Sequence, residues 1–175
     1  DMTLRFLAEN ILAAAKNCGV SMTVLLTSLM AEAVMEVQKK NCRSGKEMPV
    51  RIMVPIDLRR FFGSRTLRNF ALYTTPEILP QLGEYTFEEI CRAIQHRMGL
   101  DITPKQMSMK IATNVNSEKI MAVRLMPLFI KNMVMKAVFD SVGEKKSCLT
   151  LSNLGAVRLP EEMLPYVETM DFILG

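Results

Sequence analysis

Val50-Arg51-Ile52-Met53-Val54-Pro55-Ile56-Asp57-Leu58-Arg59, introduced by Pro49, is the stretch from which the rest of the chain can be organised. Side chains branched at Cβ pack well on a pleated surface, so residues 50–56 read as a buried strand, and a second extended segment is expected at about 70–75. Before the strand, Leu4, Leu7, Ala8, Ile11, Leu12 and Ala15 share one face of a helix over 3–17, stopped near Gly19 and expected to pack as core. Ser21 can cap a second helix running to about residue 40. Its first half is apolar or small nearly all round, while Glu36 and Lys40, one turn apart, mark a later half that meets water.

After the strands, Thr86-Phe87-Glu88-Glu89 is a capping box and starts a helix to about residue 98, and Thr103-Pro104 opens another with proline at the first helical position. Ile130, Met133, Val134, Ala137 and Val138 repeat at the spacing of a helical face. Closing strands are expected at 149–152 and 170–174. Interleaved helices and strands of this kind give an α/β (α+β) fold, a mixed β-sheet flanked by helices.

The chain has 175 residues, enough for one domain or one half of a larger enzyme. With 49% hydrophobic and 23% charged residues it has the material for a core, which excludes intrinsic disorder. A formal charge of +4 is too mild to imply nucleic acid. Cys18, Cys42, Cys91 and Cys148 form no CxxC pair and, with a single histidine, neither a zinc site nor a disulfide framework, so reduced thiols and a cytoplasmic location are expected. The longest uncharged run, between Lys16 and Glu32, is interrupted by polar residues, whereas a spanning helix needs about 20 mostly apolar ones; no membrane span or signal peptide is expected. Asp1 in the first position and the apolar run Phe172-Ile173-Leu174 in the last lead to the expectation that both ends are cuts.

His96 is the one side chain here whose ordinary pKa suits proton transfer near neutrality, yet nothing beside it resembles a nucleophile and base pair, and its helical position followed by Arg97 is that of a surface residue. Four arginines fall within ten residues in Arg59-Arg60-Phe61-Phe62-Gly63-Ser64-Arg65-Thr66-Leu67-Arg68, directly after the strand. Guanidinium forks hold carboxylates and phosphates bidentately, so the segment could bind an anion or brace an acidic side chain from elsewhere. A solvated loop is favoured for Arg60, Arg65 and Arg68. Arg59 differs, because it ends an apolar strand where burial would demand a partner. The 15 methionines, several of them at 128–139, could form an adaptable binding surface, but core packing is the expectation. The pairs Glu88-Glu89 and Glu161-Glu162 are sequence neighbours and do not share a helix face. No GxGxxG, Walker-type loop, HExxH or GxSxG is present, and no metal site is expected.

Val54-Pro55-Ile56-Asp57-Leu58-Arg59, then Leu67-Arg68-Asn69-Phe70, then Leu151-Ser152-Asn153-Leu154-Gly155 with Leu159-Pro160, in this order and spacing, resemble the C-terminal half of the CoA-dependent acyltransferase superfamily. That group includes nonribosomal peptide condensation domains, alcohol acetyltransferases, wax ester synthases, plant BAHD enzymes and chloramphenicol acetyltransferase. The resemblance implies that residues 1–175 are one of two similar halves, a chloramphenicol acetyltransferase-like unit with a substrate tunnel at its seam. It implies an acyl group moving from an acyl-CoA or phosphopantetheine thioester to a small-molecule alcohol or amine, with an acyl carrier protein as a further partner and no bound cofactor. The catalytic HHxxxDG lies on the N-terminal half, and this sequence has no HH pair, so the chain alone is expected to be inert and His96 receives no role.

By the same resemblance, Arg59 matches the arginine that pairs with the aspartate of HHxxxDG and braces the histidine loop. Ser152 and Asn153 match the strand lining the tunnel opposite the histidine, where a donor could support the oxyanion. Asn69 and Phe70 match a tunnel-adjacent structural segment. Asp171-Phe172-Ile173-Leu174-Gly175 is similar to the DFGWG of the plant branch, with Ile173 and Leu174 replacing the glycine and tryptophan, and no catalysis is placed there. Two alternatives stay open: a non-catalytic, condensation-like interaction module, and an anion or nucleic-acid binder using residues 59–68.

Overall fold

The computed structural model describes residues 6–42, 46–119, 127–138, 140, 147–153, 155 and 159–168. In chain order these form α1 (Ala8–Asn17), α2 (Met22–Asn41), β1 (Val50–Asp57), α3 (Arg59–Phe62), β2 (Ala71–Thr74), β3 (Glu77–Ile78), a 3-10 turn (Pro80–Leu82), α4 (Phe87–Asp101), α5 (Pro104–Lys119), α6 (Leu128–Val138), β4 (Leu149–Thr150) and a second 3-10 turn (Glu161–Tyr166). A mixed sheet flanked by helices is therefore the architecture. The strand expected at 170–174 and the Asp171–Gly175 match lie outside the described residues.

Local chemistry sets the helix ends. α1 stops where Gly19 takes φ +67°, a left-handed conformation that costs glycine nothing, and the Gly19 and Val20 amides donate back to the Lys16 and Ala15 carbonyls. The Ser21 hydroxyl accepts from the Val24 amide and starts α2. Thr86 and Glu89 make both halves of the capping box at the start of α4, and the Thr103 hydroxyl accepts from the Gln106 amide at the start of α5.

β1 organises the sheet. Its side chains alternate, with Val50, Ile52, Val54 and Ile56 buried, Arg51 and Met53 half-buried, and Pro55 and Asp57 exposed. β2 and β3 meet it in a single antiparallel register, Val54 opposite Thr74 and Val50 opposite Ile78, so they act as two pieces of one partner. Pro76 between them accepts from the Ile52 amide but has no N–H to return. The parallel strand β4 attaches through the Arg51 and Met53 carbonyls, which accept from the Cys148 and Leu151 amides. The next residue of β1 pointing that way is Pro55, again without a donor, and among the described residues the ladder goes no further.

α2 and α4 cover the buried face of β1: Val24, Ala31 and Met35 from one, Ile90, Ile94 and Met98 from the other. Thr27 and Ser28 are fully buried in α2 and satisfy their hydroxyls by donating to the Thr23 and Val24 carbonyls at 2.7 and 2.8 Å. The Gln38 amide clamps both the N–H and the carbonyl of Met48, fixing the entry into β1. A second, smaller cluster of Ile56, Leu58 and Met107, with Phe61, Phe70 and Leu72 against it, lies beneath the arginine-rich loop.

Two expectations about packing are corrected. The α1 face does not serve as core, since Ala15 is its buried residue while Leu7 and Leu12 are exposed; α1 meets the rest of the described chain mainly along α2. α6 forms where the periodicity places it, but Leu128, Phe129, Met133 and Met135 are all exposed, whereas Met35, Met98 and Met107 are the buried methionines among the described residues. Among the described residues no single helix is long and apolar enough to cross a membrane. α1 and α2 pass that test only as a pair bent by 83°, and the inward residues of α2 already form the core under β1.

Candidate functional site

β1 and β2 make a hairpin whose ladder continues beyond the strand ends, with the Leu58 amide donating to the Phe70 carbonyl at 3.0 Å. The loop between, residues 59–69, holds the arginine-rich segment. It is folded around Arg59. The Arg59 backbone amide donates to Asp57 Oδ1 at 3.1 Å, a tight turn of the kind aspartate favours, and α3 follows at once. The guanidinium then reaches across the loop. Nη1 donates to Asp57 Oδ1 at 3.0 Å, Nε to the Thr66 carbonyl at 2.9 Å and Nη2 to the Arg68 carbonyl at 2.8 Å. Gly63, at φ +59°, ends α3 in the left-handed region and lets the chain turn back toward β2.

These contacts revise the reason for singling out Arg59. Its side chain is 37% exposed, not buried, and among the described residues its acidic partner is Asp57 at the end of β1. Three of the five guanidinium N–H groups are engaged in this way. The hydrogen bond from the Arg59 amide, followed by that from its side chain, holds the Asp57 carboxyl below the ordinary aspartate range. The sign follows directly: a carboxyl depressed in the folded state contributes stability above its unfolded pKa and loses it as pH falls through the folded one. We therefore expect the Asp57 carboxyl carbon, followed by NMR, to titrate at lower pH than a free aspartate. Arg59→Ala is expected to move that midpoint up, and an unmoved midpoint would count against the clasp.

Beside the clasp lies an open cleft of about 600 Å3, lined by Thr23, Ile56, Asp57, Arg59, Arg60, Phe61, Asn153 and Gly155. It lies at the Asp57 end of β1, with Thr23 near the start of α2 and Asn153 just after β4. Asn153 is fixed at both ends of its amide: Nδ2 donates to Thr23 Oγ1 at 3.1 Å, and Oδ1 accepts from the Gly155 amide at 2.9 Å. Two of the residues singled out in the sequence, Arg59 and Asn153, thus share one cleft.

The others fall around it. Ser152 is exposed next to Asn153 and does not line the cleft. Asn69 is exposed on the loop, and Phe70 is half-buried in the smaller core, tilted at 48° against Phe62 with ring centroids 6.0 Å apart. Arg60, Arg65 and Arg68 are exposed, as a solvated loop requires. His96 is exposed on α4, whose residues contribute none of the cleft lining. No group of three or more metal-ligating side chains occurs among the described residues.

Thr23 was not legible as a site residue. It sits inside a helix of ordinary composition, and 130 residues separate it from Asn153. A smaller recess of about 260 Å3, lined by Leu72, Tyr73, Met109, Lys110, Thr113 and Asn114, lies between β2 and α5. It carries a single charged group and joins none of the residues above, which makes the larger cleft the better candidate for chemistry. Comparison with protein-family models, with curated proteins and with solved structures finds no match to this chain.

Proposed function

We propose that this chain is the C-terminal half of an acyltransferase with a chloramphenicol acetyltransferase-like architecture. It would move an acyl group from a CoA or carrier-protein thioester to an alcohol or amine. In this reading the histidine on the preceding half deprotonates the acceptor, the acceptor attacks the thioester carbonyl, and the thiolate leaves with its proton returned. This half supplies one wall of the tunnel, the Arg59 clasp at its mouth, and Asn153 on the wall where an oxyanion develops, with Ser152 beside it but outside the cleft lining. The observation that carries the reading is the convergence of Arg59 and Asn153 on one open cleft, because they come from the two sequence islands that the family resemblance picks out independently. A cleft open to one side suits a half whose opposite wall is another subunit or segment.

The test is release of free thiol from a panel of acyl-CoA and acyl-phosphopantetheine donors in the presence of alcohols and amines. The chain alone is expected to be inert and the protein that includes its natural preceding segment to turn over. A joined protein that is inert across the panel, or an isolated chain that transfers, would contradict the proposal. The exposed apolar residues of α6, Leu128, Phe129 and Met133, favour a second reading, a non-catalytic condensation-like interaction module. A preceding segment without an HHxxxDG-like motif would support that one.

A further inference from the structure

β2 and β3 lie along one margin of the sheet, and hydrogen-bond parity shows which of their backbone groups that margin leaves open. The Ile52 amide donates to the Pro76 carbonyl at 3.3 Å and the Leu58 amide to the Phe70 carbonyl at 3.0 Å. Hydrogen-bonded pairs alternate in an antiparallel ladder, so Thr74 opposite Val54 and Leu72 opposite Ile56 also turn their N–H and C=O groups toward β1. Ala71, Tyr73, Thr75 and Glu77, one residue out of step, turn theirs away, and among the described residues no strand pairs with them. Proline commonly blunts such an edge, but Pro76 stands at an inward position, and all four outward positions keep their donors. α5 supplies a second wall. The recess of about 260 Å3 between it and β2 is lined by the apolar side chains of Leu72 and Met109, with Tyr73 and Thr113 beside them and the half-buried Lys110 as its one charged group.

We infer that this edge is a docking groove for an extended peptide segment of a partner protein. The segment adds to β2 as a strand, places one apolar side chain in the recess, and sets a carboxylate two residues along, on the same face, toward Lys110. Outward N–H and C=O pairs repeating at about 6.8 Å, two residues of strand, are answered by another extended backbone and not by a small molecule. Those main-chain bonds supply affinity of little sequence preference, and the recess and the lysine supply the preference. Charge decides between occupants. A second copy pairing through β2 would bring its own Lys110 to the same edge, like charge toward like, whereas an acidic segment without a flanking helix meets a recess that contains no carboxylate among its lining residues. The nearest acidic side chain along the edge, Glu77, is already held by Arg51.

The experiment is amide hydrogen exchange followed by NMR on the full-length protein, alone and with a set of end-capped octapeptides. In these, valine and threonine alternate around a central leucine, phenylalanine, methionine or glycine, with glutamate or lysine two residues on. In the free protein the Leu72 and Thr74 amides are expected to exchange slowly, and those of Ala71, Tyr73 and Thr75 at least about tenfold faster. Peptides with a large apolar centre and glutamate are expected to slow the outward three about tenfold, leave the inward pair unchanged, and bind about tenfold more tightly than the glycine or lysine versions. Tyr73→Pro removes an outward donor that β1 does not use, and is expected to weaken binding about tenfold. Met109→Glu tests the recess without touching the strand; Met109 is exposed on α5, so this variant is expected to fold as wild type does and to lose binding to the same extent. Four results would each overturn the inference: outward amides as protected as the inward pair in the free protein, protection that grows with protein concentration and no peptide, no binding of any peptide at millimolar concentration, or binding that neither variant weakens. Acyl transfer is read in none of these measurements, so the groove stands or falls apart from the proposed function.

Discussion

If the proposed acyltransferase reading holds, replacement of Arg59 by alanine in the full-length protein is expected to lower turnover by about a hundredfold, the scale on which misplacing a catalytic element by about an ångström costs rate. In this chain the substitution removes the side-chain donors to Asp57, Thr66 and Arg68 together and leaves only the backbone amide on Asp57, so residues 59–69 lose the group around which they fold. The carbonyls it leaves are near the surface and can turn to water, so the cost in stability stays at about 1 to 2 kcal/mol. Turnover is thus expected to fall much further than stability, with kcat affected more than KM. Arg59→Lys is not expected to rescue it, because an ammonium group cannot reach three acceptors spread across the loop as a guanidinium does. A loss of activity that merely tracks the unfolded fraction would reduce Arg59 to a structural residue. Unchanged turnover would remove it from the account.

The largest effect on stability is expected at Ile52. It is 1% exposed at the centre of β1, with α2 and α4 packed over it, and truncation to alanine there is expected to cost about 3 to 4 kcal/mol. That is a large share of the roughly 5 to 15 kcal/mol by which domains are stable. Met53, its neighbour on the opposite, half-covered face, is expected to cost about 1 kcal/mol on the same change, since less of its surface leaves water on folding. Denaturant midpoints of the two variants decide this. Equal losses would mean that β1 is not covered by α2 and α4 on one face in the way described.

The parts of the fold that were legible in the sequence are those decided within a few residues. Ser21, Thr86 with Glu89, and Thr103 before Pro104 each announce a helix start because cap and capped amide are three residues apart. The strand at β1 was legible from its branched side chains. Its pairing was not, because the register depends on where Pro55 and Pro76 withhold donors, and that has meaning only once partners are in place. The α1 and α6 faces show the limit of periodicity: spacing predicts a helix and an apolar side, but not that a layer will cover it.

The site divides in the same way. Arg59 was legible as an arginine requiring partners, and what could not be read is that the partners would be Asp57 and two carbonyls of its own loop. Asn153 was reached through the Leu151–Gly155 island. Thr23, which holds it, carries no local signal, because the contact exists only after β4 docks on β1 beside the start of α2.

The most direct measurement of whether the Arg59 end of β1 faces a catalytic half is a double-mutant cycle on turnover in the full-length protein. It pairs Arg59→Ala with substitution of the aspartate in the HHxxxDG-like motif that the proposed acyltransferase reading places on a preceding segment. Bracing across the seam predicts strong non-additivity, the second substitution costing little once the first is made, with a coupling of about 1 kcal/mol or more. Additive losses would contradict it and leave Arg59 as the clasp of its own loop.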